Sequence, residues 1–352
     1  MANIWLFYAV LGAVILSFHR KKDEEFEDMG RECTGELKGL AILMVLLGHM
    51  THIFGLIAMP VTSYLGAQAV EIFLFLSGFG LTASCRSNGL KGYWKKRLIT
   101  IYVPYTIVNI MKITALTAAF GWGLFSVKDI LLNFSGMSIT IDNSMWYVQY
   151  ILICYLLFFL VFLVKNKKGG WYAAMMFAAF ILLAGRISVY KMQVGPYTYI
   201  PFMECYSHYL SFPLGVLGYI LYEKRKKVPV WVYPAASVVF LTAFIFCSAR
   251  IPEYGFYLVS NLSFVLFAVT LFIWLKRLKL RSHMLEKLGG LAFYIYLNEM
   301  IVMMLVTTRY MEEMWKIVLI FICSIGTAIL TKKLNDIILR KISLLQFRKS
   351  AC

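Results

Sequence analysis

The chain has 352 residues, of which 61% are hydrophobic, 16% aromatic and only 15% charged. With a mean hydropathy of +0.73, that balance excludes an ordinary water-soluble domain and leaves no room for a sizeable soluble appendage. The net charge of +17 raises the question of nucleic acid, which the placement of the basic residues answers below.

Apolar runs suited to a bilayer of about 20 residues per crossing recur along the whole length. The pattern predicts helices at 4 to 19, 37 to 57, 65 to 83, 98 to 120, 145 to 164, 171 to 187, 203 to 222, 230 to 248, 255 to 275, 289 to 306 and 315 to 334. The fold class is therefore an all-α polytopic membrane protein, with ten core transmembrane helices and one extra helix at the N-terminus. Residues 1–30 read as a transmembrane anchor with its linker, and 31–352 as one membrane domain. The first run, "NIWLFYAVLGAVILSF", has no basic flank before it and no small-residue cleavage site, so an uncleaved anchor is expected.

Basic clusters fall in every second connection: "HRKKDEE", "RSNGLKGYWKKR", "KNKK", "EKRKK", "KRLKLRSHMLEK" and the tail. With Arg31 and Lys38 these hold roughly 28 of the 35 Lys and Arg, the asymmetry that marks cytoplasmic loops. The expected location is the plasma membrane, with the N-terminus outside and the C-terminus in the cytoplasm. Charge placed this way reports topology and attraction to membrane lipid, and no nucleic-acid partner is expected. The seven cysteines, Cys33, Cys85, Cys154, Cys205, Cys247, Cys323 and Cys352, form no C-x-x-C pair and read as free thiols.

Against this apolar background the polar residues stand out, because an ionisable side chain inside a span is costly and marks function by default. "ELKGLAILMVLLGHMTHIFGL" carries His49 and His52 one turn apart, and counting from the helix ends places His49 in the outer half. Glu71 enters from the outside on the next helix and is counted to a similar depth. Consecutive helices on a short loop are usually antiparallel neighbours, so Glu71 is expected to orient the His49 ring, and His49 to act as a general base. The same two histidines with Glu71 could also surround a metal, but no further ligand motif accompanies them and no metal is expected. His52, nearer the interface, reads as structural.

The same depth count puts Lys112 with Asn109, Trp146 with Gln149, Glu204 with His208, Asn261, and Asn298 with Glu299 in the outer half. Together they predict a hydrated cavity in which Trp146, Glu204, His208, Asn298 and Glu299 contact a substrate. No G-x-S-x-G elbow supports a serine hydrolase.

Several stretches taken together resemble one family, the integral-membrane acyltransferase family 3, which includes bacterial O-acetyltransferases of surface polysaccharides. The resemblance runs from about Arg31 almost to the end of the chain. It begins with a basic residue, ten positions and a histidine, here Lys38 and His49. "EIFLFLSGFGLTA" is similar to a phenylalanine-rich helix ending in Ser77, Gly78 and Phe79. In "YWKKRLITIYVPY" the residues Lys96, Arg97, Ile101, Tyr102 and Pro104 fit a basic motif, although Thr100 replaces its second arginine and Val103 displaces the proline by one. "MWYVQYILICYLL", "FPLGVLGYILY" and "LGGLAFYIYLNEM" resemble later helices, the last with Ala292 at a usual serine and Asn298 or Glu299 where many members have a histidine.

The resemblance implies transfer of an acetyl or similar short acyl group from acetyl-CoA, a co-substrate, to a hydroxyl of a cell-envelope glycan or related acceptor. It implies donor binding by Lys38, Lys96, Arg97 and Tyr102, where Arg97 offers a fork to phosphate oxygens and Lys38 a point charge. His49 would serve as general base or as acyl carrier, and Tyr296, Asn298 or Asn261 as the donor to the oxyanion. Two other classes fit the composition: a transporter with polar midplane residues, and a catalytically silent sensor module of the same fold.

Overall fold

In the computed structural model the described residues are 2–21, 28–54, 65–121, 123–136, 141–164, 168–194, 208–224, 228–250 and 254–350. The expected Glu204, and the loop after His52 with the early part of the 203 to 222 run, lie outside them. Within them the chain is helical almost throughout: α1 (Ala2–Leu16), α2 (Arg31–Phe54), α3 (Leu65–Asn88), α4 (Tyr93–Phe120), α5 (Val127–Phe134), α6 (Trp146–Phe162), α7 (Gly169–Val194), α8 (Ser211–Lys224), α9 (Val232–Ser248), α10 (Tyr254–Arg277), α11 (His283–Gly289), α12 (Ala292–Thr307) and α13 (Glu313–Ser350). This is a multi-pass α-helical membrane protein. Six described helices (α2, α3, α4, α7, α10 and α13) are long and apolar enough to cross, and α11 with α12, bent by 72°, makes a seventh. The remaining four expected spans fall on α1, α6, α8 and α9, which are only 14 to 17 residues long as described.

Three elements depart from the expected runs. The α5 helix starts at Ser126, whose hydroxyl accepts the Asp129 N–H at 3.1 Å, a local cap that span counting does not reveal. The tail continues α13 to Ser350, since Leu334, Ile337, Ile338 and Ile342 repeat at helical spacing. A two-stranded antiparallel pair, β1 (Phe18–Arg20) with β2 (Leu280–Ser282), interrupts the all-helical pattern. Lys279, with φ 58°, makes the left-handed turn into β2.

The chain divides into two compact units, each built from separate stretches: residues 1–91 with 149–290, and residues 92–148 with 291–352. In the first unit α3 and α8 interlock through glycine. A Cβ on Gly78 would lie 2.2 Å from the Phe212 carbonyl oxygen, and one on Gly215 2.0 Å from that of Phe75. Only a residue without Cβ permits this approach. The pairs Glu71/His208 and Arg86/Glu223 flank the interlock at the same sequence separation of 137, so the two helices run parallel, as the loop alternation requires.

The start of α2 is fixed to the end of α10. Buried Lys276 donates to Glu36 at 2.5 Å, the Ser282 N–H adds a second bond to the same carboxylate oxygen at 3.1 Å, and Arg277 pairs with Asp28 at 2.5 Å. These ties hold the helix that carries Lys38 and His49 from its basic end. In the second unit α4, α12 and α13 pack together, and α5 is joined to α4 by the Tyr105 hydroxyl, which donates to the Asn133 carbonyl at 2.7 Å. Among the described residues Cys33, Cys85, Cys154, Cys247 and Cys323 form no disulfide.

Candidate functional site

In the first unit His49 lies three-quarters of the way along α2, half-buried, with Nδ1 buried. One residue earlier, a Cβ on Gly48 would meet the Gly66 backbone nitrogen at 2.7 Å. That contact sets the register of antiparallel α2 and α3. His49 stands level with the entry of α3, and Glu71 lies roughly six residues, or about 9 Å, deeper.

Glu71 is buried, and its Oε1 accepts from His208 Nδ1 at 2.7 Å and from Asn261 Nδ2 at 2.8 Å. The expected hydrogen bond between Glu71 and His49 is therefore corrected: the carboxylate orients His208, not His49. Equal depth by loop counting was too coarse, because the close Gly48–Gly66 approach slides one helix along the other. The Tyr150 hydroxyl donates to the His208 carbonyl at 3.2 Å, which fixes the backbone behind the ring.

Several polar atoms around this carboxylate are buried without a hydrogen-bond partner among the described residues. They are Glu71 Oε2, Asn261 Oδ1, Ser211 Oγ and both amide atoms of Gln68, one turn before Glu71 on α3. Native interiors leave few such groups, and in a bilayer each is costly. The set is suited to receive hydroxyl groups, which both donate and accept.

Lys38, about three turns before His49, is exposed on α2. The other expected donor-binding residues belong to the second unit. Lys96 is exposed near the start of α4, and Arg97 is half-buried with its guanidinium 5.7 Å from the Tyr93 ring centre. Thr100, at the place of the missing arginine, turns its hydroxyl back to the Lys96 carbonyl at 2.7 Å and so offers no cation there. The Tyr102 hydroxyl donates to the Phe134 carbonyl at 2.5 Å and links α4 to α5.

Also in the second unit, Trp146 is half-buried at the start of α6, and Asn298 and Glu299 are buried on α12. Asn298 gives its amide hydrogens to the Tyr294 carbonyl at 2.8 Å and to Thr331 Oγ1 at 3.1 Å. The Tyr296 hydroxyl donates to the Ser144 carbonyl. Of the three residues expected to meet an oxyanion, Asn298 and Tyr296 thus spend their donors inside the second unit. Asn261 spends one of its two amide hydrogens on Glu71 and retains the other.

Sequence reasoning did not find Asp142, the buried partner of Lys112. Its other carboxylate oxygen accepts the Ser144 N–H at 2.9 Å and the Ser144 hydroxyl at 2.5 Å. Burial acts against the Asp142 carboxylate, but Lys112 and Ser144 outweigh it and hold its pKa below the ordinary value. The residue sits in a connection between helices, where no periodicity marks it. The buried lysine in the α4 run was the signal that a carboxylate had to be near.

The family model described as an acyltransferase domain, acyltransferase family 3, matches residues 37–333. The chain belongs to this family. The match opens one residue before Lys38, takes in the His49 helix, and ends at Lys333 inside α13. No curated protein and no solved structure matches the chain. The protein is thus a multi-pass membrane acyltransferase, and the resemblance carried by Lys38, His49 and the Ser77-Gly78-Phe79 stretch agrees with the assignment.

Proposed function

We propose that this acyltransferase moves an acetyl or similar short acyl group from acyl-CoA to a hydroxyl of a cell-surface or exported glycan, working in the plasma membrane of a bacterium with its C-terminus cytoplasmic. The observation that carries the reading is the polar chemistry of the first unit. A half-buried imidazole, His49, lies on the helix at the head of the family match, and a buried cluster with unmet hydrogen-bonding capacity surrounds Glu71.

In this reading neutral His49 accepts the proton of the acceptor hydroxyl as its oxygen attacks the thioester carbonyl. The new C–O bond forms, the C–S bond breaks, and the imidazolium returns the proton to the leaving thiolate. The same ring is also suited to carry the acyl group covalently between donor and acceptor. The remaining amide hydrogen of Asn261 is the candidate donor to the oxyanion. Glu71 acts through His208: it holds Nδ1 and so fixes how that ring faces an acceptor. Lys38, Lys96 and Arg97 are the candidate cations for the phosphates of the donor. Trp146, Glu204, Asn298 and Glu299 remain proposed acceptor contacts.

Purified protein in lipid nanodiscs, given acetyl-CoA labelled in the acetyl group and a panel of glycan acceptors, tests this directly. Label transferred to a hydroxyl, with release of free coenzyme A, is the expected result. Absence of both transfer and thioester cleavage across the panel would remove the enzymatic reading and leave a transporter or a silent module.

A further inference from the structure

Within the first unit, α1 stands away from the helices behind it. Among its residues with described side chains only Val14 is buried, although α1 is apolar on every side. The space between α1 and helices α2, α9 and α10 is a cavity of about 780 Å³, and every residue that lines it is apolar. From Phe264 to Leu275 it follows α10 for about 16 Å. The volume falls in the range of ligand sites, but no lining side chain can hydrogen-bond a polar ligand. Hydrocarbon is the chemistry that fits, and the surrounding bilayer supplies it.

One end of the cavity has a charged border. Phe18 and Leu280, from the two strands, line it there. Arg20 lies on the same strand face as Phe18, two residues on, and directly opposite Leu280 in the register. Arg20 is exposed and makes no ion pair among the described residues, and Lys21 and the exposed Lys279 join at the same strand ends through the Lys21 N–H to Lys279 carbonyl bond of 3.0 Å. Arg281, on the opposite face, is engaged by Glu32 at 3.0 Å and Glu286 at 2.6 Å. Cations are thus placed where the apolar space meets the headgroup layer.

We propose that this cavity is a binding site for an anionic glycerophospholipid, one acyl chain of which fills the gap between α1 and the core while its phosphate rests on Arg20. The lipid completes the packing of α1, which few direct contacts hold. The site is separate from the polar cluster at Glu71 and does not depend on the acyltransferase reading.

The test is lipid analysis by mass spectrometry of protein purified in a mild detergent, compared with an extract of the source membrane. Wild type is expected to retain about one phospholipid per chain, enriched in anionic classes. Arg20→Glu should lower that enrichment about fivefold, the scale of one basic residue at an anionic surface. Val14→Trp should displace the lipid by filling the cavity. A phosphatidylglycerol with a photoreactive acyl chain, applied to wild type, should label peptides of α1 and α10, so the site is tested even where Val14→Trp fails to fold. Retained lipid that matches the bulk membrane, an unchanged profile in Arg20→Glu, crosslinks spread over the outer surface, or a polyprenyl phosphate as the bound species would each overturn the proposal.

Discussion

The Glu71 carboxylate on α3 and the ring of His208, just before α8, are joined by a 2.7 Å hydrogen bond, and the second donor to the same oxygen is Asn261. Glu71 on α3, His208 three residues before α8 and Asn261 on α10, distant in sequence, therefore meet at one buried oxygen.

This relationship predicts coupling. Glu71→Gln and His208→Gln should each destabilise the protein, and the double variant should fall short of their sum by about 0.5 to 3 kcal/mol, the range for groups in one network. Glu71→Gln and His49→Gln share no hydrogen bond, so their effects on stability should add within about 0.5 kcal/mol. Thermal unfolding in detergent measures both cycles, and strong coupling between Glu71 and His49 instead would restore the pairing expected from the sequence.

How much was legible beforehand follows from these same residues. Loop charge gave depth, and depth alone put Glu71, His208 and Asn261 in one layer. It did not give rotation or register, so Glu71 was matched to His49 on the preceding helix. The slide between α2 and α3 depends on Gly48 meeting Gly66, a contact no periodicity encodes. Asp142 and Glu36 were hidden for a different reason. Their partners lie 30 and 240 positions away, and pairs that distant leave no trace in one sequence. The apolar runs themselves were plain, because composition sets which segments can cross a bilayer.

Gly78 and Gly80 make a controlled comparison on one helix. Gly78→Ala would press a methyl group against the Phe212 backbone, which cannot yield as a side chain can, whereas nothing lies within 4 Å of a Cβ on Gly80. Gly78→Ala should lower the yield of monodisperse protein severely, by several kcal/mol of lost packing, while Gly80→Ala should leave it unchanged. Size-exclusion profiles of the two variants decide the matter.

Donor recognition is tested at Arg97. Arg97→Ala should raise KM for acyl-CoA about tenfold or more, and Arg97→Lys should recover part of that loss, because lysine keeps the charge without the fork. Initial rates at varied acyl-CoA measure it. An unchanged KM in Arg97→Ala would reassign the residue to setting topology.

The most direct test of acyl transfer through His49 is turnover of labelled acetyl-CoA by His49→Gln, which keeps a polar side chain but cannot exchange a proton near neutral pH. A loss of at least 10²-fold is predicted, on the scale of general acid–base catalysis, with the unfolding temperature close to wild type and a smaller loss in Glu71→Gln. Turnover near the wild-type rate by folded His49→Gln would contradict both the general-base role and the acyl-carrier role.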